Sequence, residues 1–331
     1  MSNDRHTPEQ ALRRAVARAH RAPSVHNTQP WLWELRDGSL ELFADPERMV
    51  NVADPSGRQM VISCGAVLHH AKVALTSMGY EAAIVRMPDP SDAFHLATIT
   101  IKPVTFPDER DRILGEAVQM RRSDRRPLGP LSDNEIYNLK TAFHDDLVSI
   151  AVLDRDGAQI VKEASELAVR ERATDEQYHR ELNWWSGHYR LFDGVPRSSL
   201  PSLEKRGAVP SGREFPAGTL KPQRDVPDRA SLLVMSTSGD SAEDWLRCGE
   251  AMSAVLLRAA ASRLGACPVT HVTEIEDSRA LVRDAAQRAG EVRRYPQVVI
   301  RAGERLSSGL PPETGRRPVE EILRIRVSPD N

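Results

Sequence analysis

The chain is poor in aromatics, which make up 5% of its residues, and it has only three cysteines, Cys64, Cys248 and Cys267. Three scattered thiols exclude a disulfide framework. None stands at a CxxC or Cys/His ligand spacing, so no structural zinc site is expected. The thiols read as core side chains rather than redox groups. An excess of charge of one sign is also missing: 45 Lys and Arg stand against 47 Asp and Glu, for a net charge of −2. Such a chain has no global electrostatic reason to bind nucleic acid or an anionic membrane. No apolar run approaches the roughly 18–20 residues that would span a bilayer. The polar N-terminus lacks the charged and apolar regions of a signal peptide. A soluble, cytoplasmic protein is expected.

What is present suits a globular protein. Hydrophobic residues make up 40% and charged residues 28% of 331 positions, enough for about two domains at roughly 150 residues each. Thr7, Pro8 and Gln10 form a capping box with Pro at the first helical position. Leu12, Ala15, Val16 and Ala19 then recur at helical spacing, and Pro23 stops the pattern. Residues 31–43 read as a hairpin around Asp37-Gly38, a turn that needs positive φ. A long apolar helix is expected over 62–78, closed by Gly79, and a strand over 95–104. Ser132 and Glu135 open a second unit with another capping box and a helix to about 143. Strands follow at 148–153, 231–235 and 297–301. Ser241 caps a helix over 242–264, ended by Gly265, and a short helix follows Pro318.

The two long helices are loosely alike. Each has Cys-Gly near its start (Cys64-Gly65 and Cys248-Gly249) and a glycine stop (Gly79 and Gly265). The spacings are 15 and 17, so the alignment needs a gap. Either the chain carries a degenerate duplication or it holds two unrelated buried helices. Residues 171–230 differ from the rest. They hold Tyr178, Trp184, Trp185 and Tyr189 and then several Pro and Gly. A loop of that length inside a compact domain suggests a lid or disorder, and the aromatics argue against disorder.

Three segments carry candidate chemistry. Residues 22–33, Ala-Pro-Ser-Val-His-Asn-Thr-Gln-Pro-Trp-Leu-Trp, place amides and hydroxyls in a loop. They suit the edge of a polar planar ligand, or simply stop a helix and enter a strand. Residues 121–127, Arg-Arg-Ser-Asp-Arg-Arg-Pro, suit a dianionic phosphate through guanidinium forks and a hydroxyl. The same residues also read as a solvated basic turn or a docking patch for an acidic partner. Residues 314–321 form a basic helix entry. His26 reads as a hydrogen-bonding loop residue, with proton donation to a substrate as the other reading. Adjacent His69 and His70 should face different directions on their helix, so no shared metal is expected.

Together the segments resemble the nitroreductase family of FMN-dependent oxidoreductases. The likeness lies in APSxxNxQPW at 22–31, RRSxR at 121–125 and RRPxEE at 316–321. The arginine motif follows the APS motif here, although ordinary members carry it first. That order, with the stretch Arg58 to Ala66, resembles the Acg-type branch, in which two halves are fused in one chain. The resemblance implies an α+β fold of two nitroreductase-like halves, about 1–110 and 120–331, forming an intramolecular pseudo-dimer with a lid-like insertion over about 171–225. A monomer is then expected.

The implied activity is hydride transfer from NAD(P)H through FMN to a nitroaromatic or quinone-like acceptor. The alternative is a catalytically weak FMN-binding or FMN-storage protein with a closed lid. The implied cofactor site draws Pro23, Ser24, Asn27 and Gln29 from one half. Arg121, Arg122, Ser123, Arg125 and Arg316 come from the other, with Arg126 and Arg317 as weaker candidates. The turn with Pro268, Val269, Thr270 and His271 would lie near the reactive flavin nitrogen. No lysine stands where the family often has a cation beside the ring. Gln223 and Arg224 are the nearest substitutes.

Overall fold

The computed structural model describes residues 7–104, 107–187, 192–205, 209–210, 212–221 and 226–326. The first half opens with helix α1 (Pro8–Ala19). Thr7 and Gln10 close the expected capping box, and Ala11, Leu12, Ala15, Val16 and Ala19 form its buried face. Strands β1 (Trp31–Arg36) and β2 (Ser39–Ala44) follow. Their turn places Asp37 at φ 48° and Gly38 at φ 78°, as a two-residue hairpin requires. Helix α2 (Arg58–Ser77) is buried over most of its length. Strands β3 (Tyr80–Arg86) and β4 (His95–Pro103) complete the half, and α3 (Glu109–Met120) leads out of it.

The second half holds α4 (Asp133–Lys140), capped by Ser132 and Glu135, then β5 (Val148–Val152), α5 (Arg155–Arg172) and α6 (Glu176–Trp185). Strand β6 (Ser231–Thr237), helix α7 (Ala242–Ala261), strand β7 (Gly265–Val269), α8 (Glu276–Arg288) and β8 (Tyr295–Gly303) follow. A short α9 (Val319–Ile322) leads into β9 (Leu323–Arg326).

The two sheets share one plan. The first runs β3-β4-β2-β1 and the second β7-β8-β6-β5. Every neighbouring pair within these runs is antiparallel. In each, the long helix connects the third strand of the run to the first. Strand β9, from the end of the chain, crosses back and pairs parallel to β1. The second half thus completes the sheet of the first.

Helices α2 and α7 cross backbone to backbone. A Cβ on Gly65 would lie 2.0 Å from Leu246 O and 2.9 Å from Gly249 Cα. A Cβ on Gly249 would lie 2.0 Å from Ile62 O and 2.9 Å from Gly65 Cα. The contact is reciprocal, as at a two-fold axis. This explains the repeated Cys-Gly: the glycines permit the crossing, and both thiols are buried beside it. The repeat also aligns without a gap. Gly79 (φ 83°) and Arg263 (φ 60°) each turn left-handed fourteen residues beyond their crossing glycine, from 65 to 79 and from 249 to 263. The expected stop at Gly265 is therefore corrected. Arg263 makes the turn, and Gly265 already belongs to β7, where a Cβ would meet Leu128 Cδ2 at 2.4 Å.

The 171–230 segment is not a featureless loop. Asp175 accepts the Tyr178 N–H and starts α6. Tyr178, Leu182 and Trp185 pack on Val25, Val50 and Ala53 of the first half, which fixes α6 to the loop before β1. Trp184 is about half exposed, and Tyr189 lies outside the described residues.

Candidate functional site

The loop between α1 and β1 has an unusual backbone. His26 (φ 46°), Asn27 (φ 57°) and Gln29 (φ 52°) are all left-handed without being glycine. Such strain persists only where surroundings fix it, and it collects at functional sites. Here Ser63 Oγ of α2 accepts the Val25 N–H at 3.1 Å, and Ser24 Oγ accepts the Gln29 N–H at 3.0 Å.

Two amide side chains make this loop a junction. Asn27 Nδ2 donates to Gly194 O (2.9 Å) and Gly315 O (3.1 Å), while its Oδ1 accepts from Arg316 Nη1 (2.9 Å). Gln29 Nε2 donates to Phe192 O (2.8 Å), and its Oε1 accepts the Arg317 N–H (2.9 Å). The first half thereby grips both the segment near 192–195 and the C-terminal tail. Gln29 faces neither of the hollows described next. Its amide braces the loop against the tail instead of lining either hollow.

Next to the loop is a cleft of about 40 Å³. Arg21, Arg121, Arg122, Arg125 and Arg316 line it, with Ser24, Asn27 and Ser123. The carboxylate at its edge is Glu313, in contact with Arg122 and 3.7 Å from Arg21. Arg121 Nη2 donates to Arg21 O at 3.1 Å, but its Nε and Nη1 are buried with no partner among the described residues. Burial, then Arg21 and Arg122, pull the Arg121 guanidinium down to about 9. Arg316 is also pulled well below its ordinary value, by burial and then by Arg121 and Arg21. It donates to His20 O (2.7 Å), Arg21 O (3.1 Å) and Ala22 O (3.2 Å). Arg122 gives its Nη1 to Gln119 O (2.7 Å) and its Nη2 to Glu313, so it offers the cleft less than expected.

Two neighbouring arginines serve the protein. Arg126 forms a bidentate pair with Asp124 (2.8 and 2.7 Å), and Arg317 lies 3.5 Å from Asp45. Buried Arg301 holds the 124–126 backbone from below, through Asp124 O (3.3 Å) and Arg126 O (3.1 Å). Sequence reasoning missed Arg21, which continues the helix end just before Ala22-Pro23-Ser24.

The cleft shares Pro23, Ser24, Ser123 and Arg125 with a cavity of about 480 Å³. Ile62 and Met252 wall it from the two crossing helices, and Pro268, Val269, Thr270 and His271 wall it at the end of β7. Its volume is within the range of small-molecule sites. All the expected site residues except Gln29 thus line the cleft, the cavity or both. Gln59 and Ser63 of α2, and Ser165, Glu166 and Arg170 of α5, also line the cavity. The helical spacing of Val161, Ala164 and Ala168 after the Asp154 cap was the readable signal for α5. Gln223 and Arg224 lie outside the described residues.

Tyr178, Trp184 and Trp185 do not line this cavity. Residues 209–210 and 212–215, inside the segment expected as a lid, do line it. Arg213 anchors them: it donates to Tyr178 Oη at 2.6 Å and to Thr270 Oγ1 at 3.3 Å, and it forms a buried ion pair with Glu274. Burial lowers the Arg213 pKa, but Glu274 and Tyr178 outweigh it and raise the guanidinium above its ordinary value. Phe215 meets the His26 ring edge-on at 5.9 Å and lies 5.2 Å below the Arg125 guanidinium. Tyr178 therefore belongs to the cover as the partner of Arg213.

His69 and His70 do not diverge. Nδ1 of each lies 2.8 Å from Ser253 Oγ of α7. Burial holds the His69 imidazole down at about 3. No group of three His, Cys, Asp or Glu among the described residues could hold a metal ion. No described helix is long and apolar enough to cross a membrane.

No family model matches the chain. It is 38% identical over 96% of both chains to a Mycobacterium tuberculosis protein with the provisional name NAD(P)H nitroreductase acg. It is also 38% identical to another protein of that organism, provisionally named NAD(P)H nitroreductase Rv3131, over 96% of this chain and 92% of that one. Among solved structures, a nitroreductase with bound FMN from Bacteroides fragilis covers 62% of this chain and 94% of its own, at 12% identity and a TM-score of 0.39. With relatives this similar along nearly its whole length, the chain belongs to the nitroreductase family of NAD(P)H oxidoreductases, in the branch of Acg.

Proposed function

We propose that this chain binds one FMN and acts as an oxidoreductase of nitroreductase type, with NAD(P)H as reductant and a nitroaromatic or quinone-like small molecule as acceptor. The observation that carries this reading is the arginine cleft opening into the cavity. Five guanidiniums surround about 40 Å³ with Glu313 at the edge, and two buried Arg121 donors have no partner among the described residues. A phosphate monoester carries about −1.5 to −2 charges and three acceptor oxygens, so it answers both features without a metal. Bound FMN would supply the two-electron chemistry.

The residues have separable roles. Arg21, Arg121 and Arg125 would hold the phosphate, with Ser24 and Ser123 as hydroxyl partners. Arg316 would add charge from the tail that Asn27 fixes. Ile62, Met252 and Val269 would pack on the ring. Residues 212–215, pinned by Arg213 and Glu274, exclude water.

That pinning favours a second reading, in which the cover stays closed and the protein stores FMN with little turnover. The absorbance spectrum of purified protein, before and after anaerobic NADPH, separates the readings. Flavin absorbance bleached by NADPH supports the oxidoreductase. Flavin bleached only by dithionite supports storage. Protein without flavin absorbance that binds no added FMN contradicts both.

A further inference from the structure

Three buried polar side chains from separate elements line the cavity with nitrogens that have no partner among the described residues. They are His26, with both Nδ1 and Nε2 unpaired, Gln59, with Nε2 unpaired, and His271, with Nδ1 unpaired. His26 is 6% exposed and Gln59 2% exposed. Buried polar groups without partners are rare and point to a missing ligand. The APS motif fixes neither position: His26 fills a variable place in it, and Gln59 is in the first turn of α2.

We propose that His26 and Gln59 form a ring-reading edge, hydrogen-bonding the polar edge of the planar heteroaromatic ring in the cavity and setting ring specificity. This rests on the flavin reading above. A neutral imidazole offers one donor and one acceptor, and an amide nitrogen offers two donors. That set suits a ring edge where carbonyls flank an N–H and does not suit an apolar edge. His26 stays neutral because it is buried between Arg213 and Arg125. Phe215, edge-on to His26 at 5.9 Å, limits its rotation, and the left-handed backbone at φ 46° fixes its direction.

The inference predicts a pattern that the phosphate cleft cannot produce. His26→Leu and Gln59→Leu should each weaken FMN and riboflavin by the same factor, about tenfold, as for one lost neutral hydrogen bond. Arg125→Ala should weaken FMN alone. His26→Asn tolerates left-handed φ and keeps a donor and an acceptor, so it should restore most of the affinity. The readouts are flavin fluorescence titration and the position of the bound flavin's visible band, which should move in the Leu variants. If His26→Leu does not fold, His26→Asn and Gln59→Leu carry the test. The inference is overturned if folded Leu variants bind both flavins like the unaltered chain with an unmoved band, or lose FMN alone. If the unaltered chain binds neither flavin, the proposed function falls and takes this inference with it.

Discussion

Two corners of the molecule are related by the helix crossing and differ in content. Counting 184 residues along the chain carries Gly65 to Gly249 and also joins His69 to Ser253, which touch across the helices. The same step carries Arg86, at the end of β3, to Thr270, just past the end of β7. At Thr270 the chain borders the cavity. At Arg86 it forms a bidentate ion pair with Glu250 of α7 (2.6 and 2.8 Å), whose carboxylate is 1% exposed. One corner holds a hollow lined by nitrogens without partners among the described residues, and the other holds a closed charge pair. The duplicated scaffold therefore does not dictate a duplicated site. The APS loop and the arginine segment, each present once, line the hollow at one corner only.

The largest expected effect closes off the filled corner. Arg86→Met should destabilise the chain by about 3–5 kcal/mol, because it strands a buried carboxylate. Adding Glu250→Leu should recover most of the loss. Urea unfolding of the single and double variants checks this, and an equal loss in both would show that the pair is not the cause. Flavin stoichiometry in the double variant should not change.

The crossing itself comes next. Gly249→Ala and Gly65→Ala each push a methyl into a backbone carbonyl at 2.0 Å. Losses of about 3 kcal/mol are expected for such overpacking. They should be equal, because the contact is reciprocal. Unequal unfolding midpoints at the same slope would break the symmetry.

Arg125→Ala should cost about 1.5–3 kcal/mol of FMN affinity, the range for a charge-assisted hydrogen bond. Arg126→Ala should cost much less, since Arg126 faces Asp124. Titrations with FMN and riboflavin separate the phosphate contribution from any folding effect.

The crossing helices also differ in titration. His69 stands where α7 has Ser253, and its folded pKa of about 3 lies below the ordinary 6.5. The unfolded chain therefore binds a proton that the folded chain refuses, so stability falls as pH drops below 6.5. His69→Gln should remove about 2 kcal/mol of the loss between pH 7 and pH 5. An unchanged pH slope in urea unfolding would contradict the assignment.

Arg263→Gly carries the smallest expected effect. It relieves a left-handed arginine at the helix end and should add about 0.5–1 kcal/mol. A stability loss would show that the Arg263 side chain has a role the backbone does not reveal.

Local signals were legible in the sequence. The capping boxes at Thr7 and Ser132, the Ser241 cap, the Asp37-Gly38 turn and both candidate segments depend on neighbours within a few residues. The missed features depend on distant partners. Strand β9 is four residues long and mostly exposed, and it is a strand only because β1 offers an edge. The stop at Arg263 went unseen because glycine is the usual signal and Gly265 stood nearby. Residues 212–215, within the lid-like segment expected over about 171–225, line the cavity, and what holds them there is the distant pairing of Arg213 with Glu274. The Gln29 amide joins the loop to the tail, a contact 288 residues away in sequence that its motif does not signal.

The account's central claim is one flavin per chain, at the corner with the arginine cleft. The most direct measurement is calorimetric titration of FMN into flavin-stripped protein, with Arg125→Ala and the Arg86→Met/Glu250→Leu variant in parallel. The account predicts one site per chain, weakened by Arg125→Ala and unchanged in the double variant. Two sites per chain, or a single site unaffected by Arg125→Ala, would contradict it.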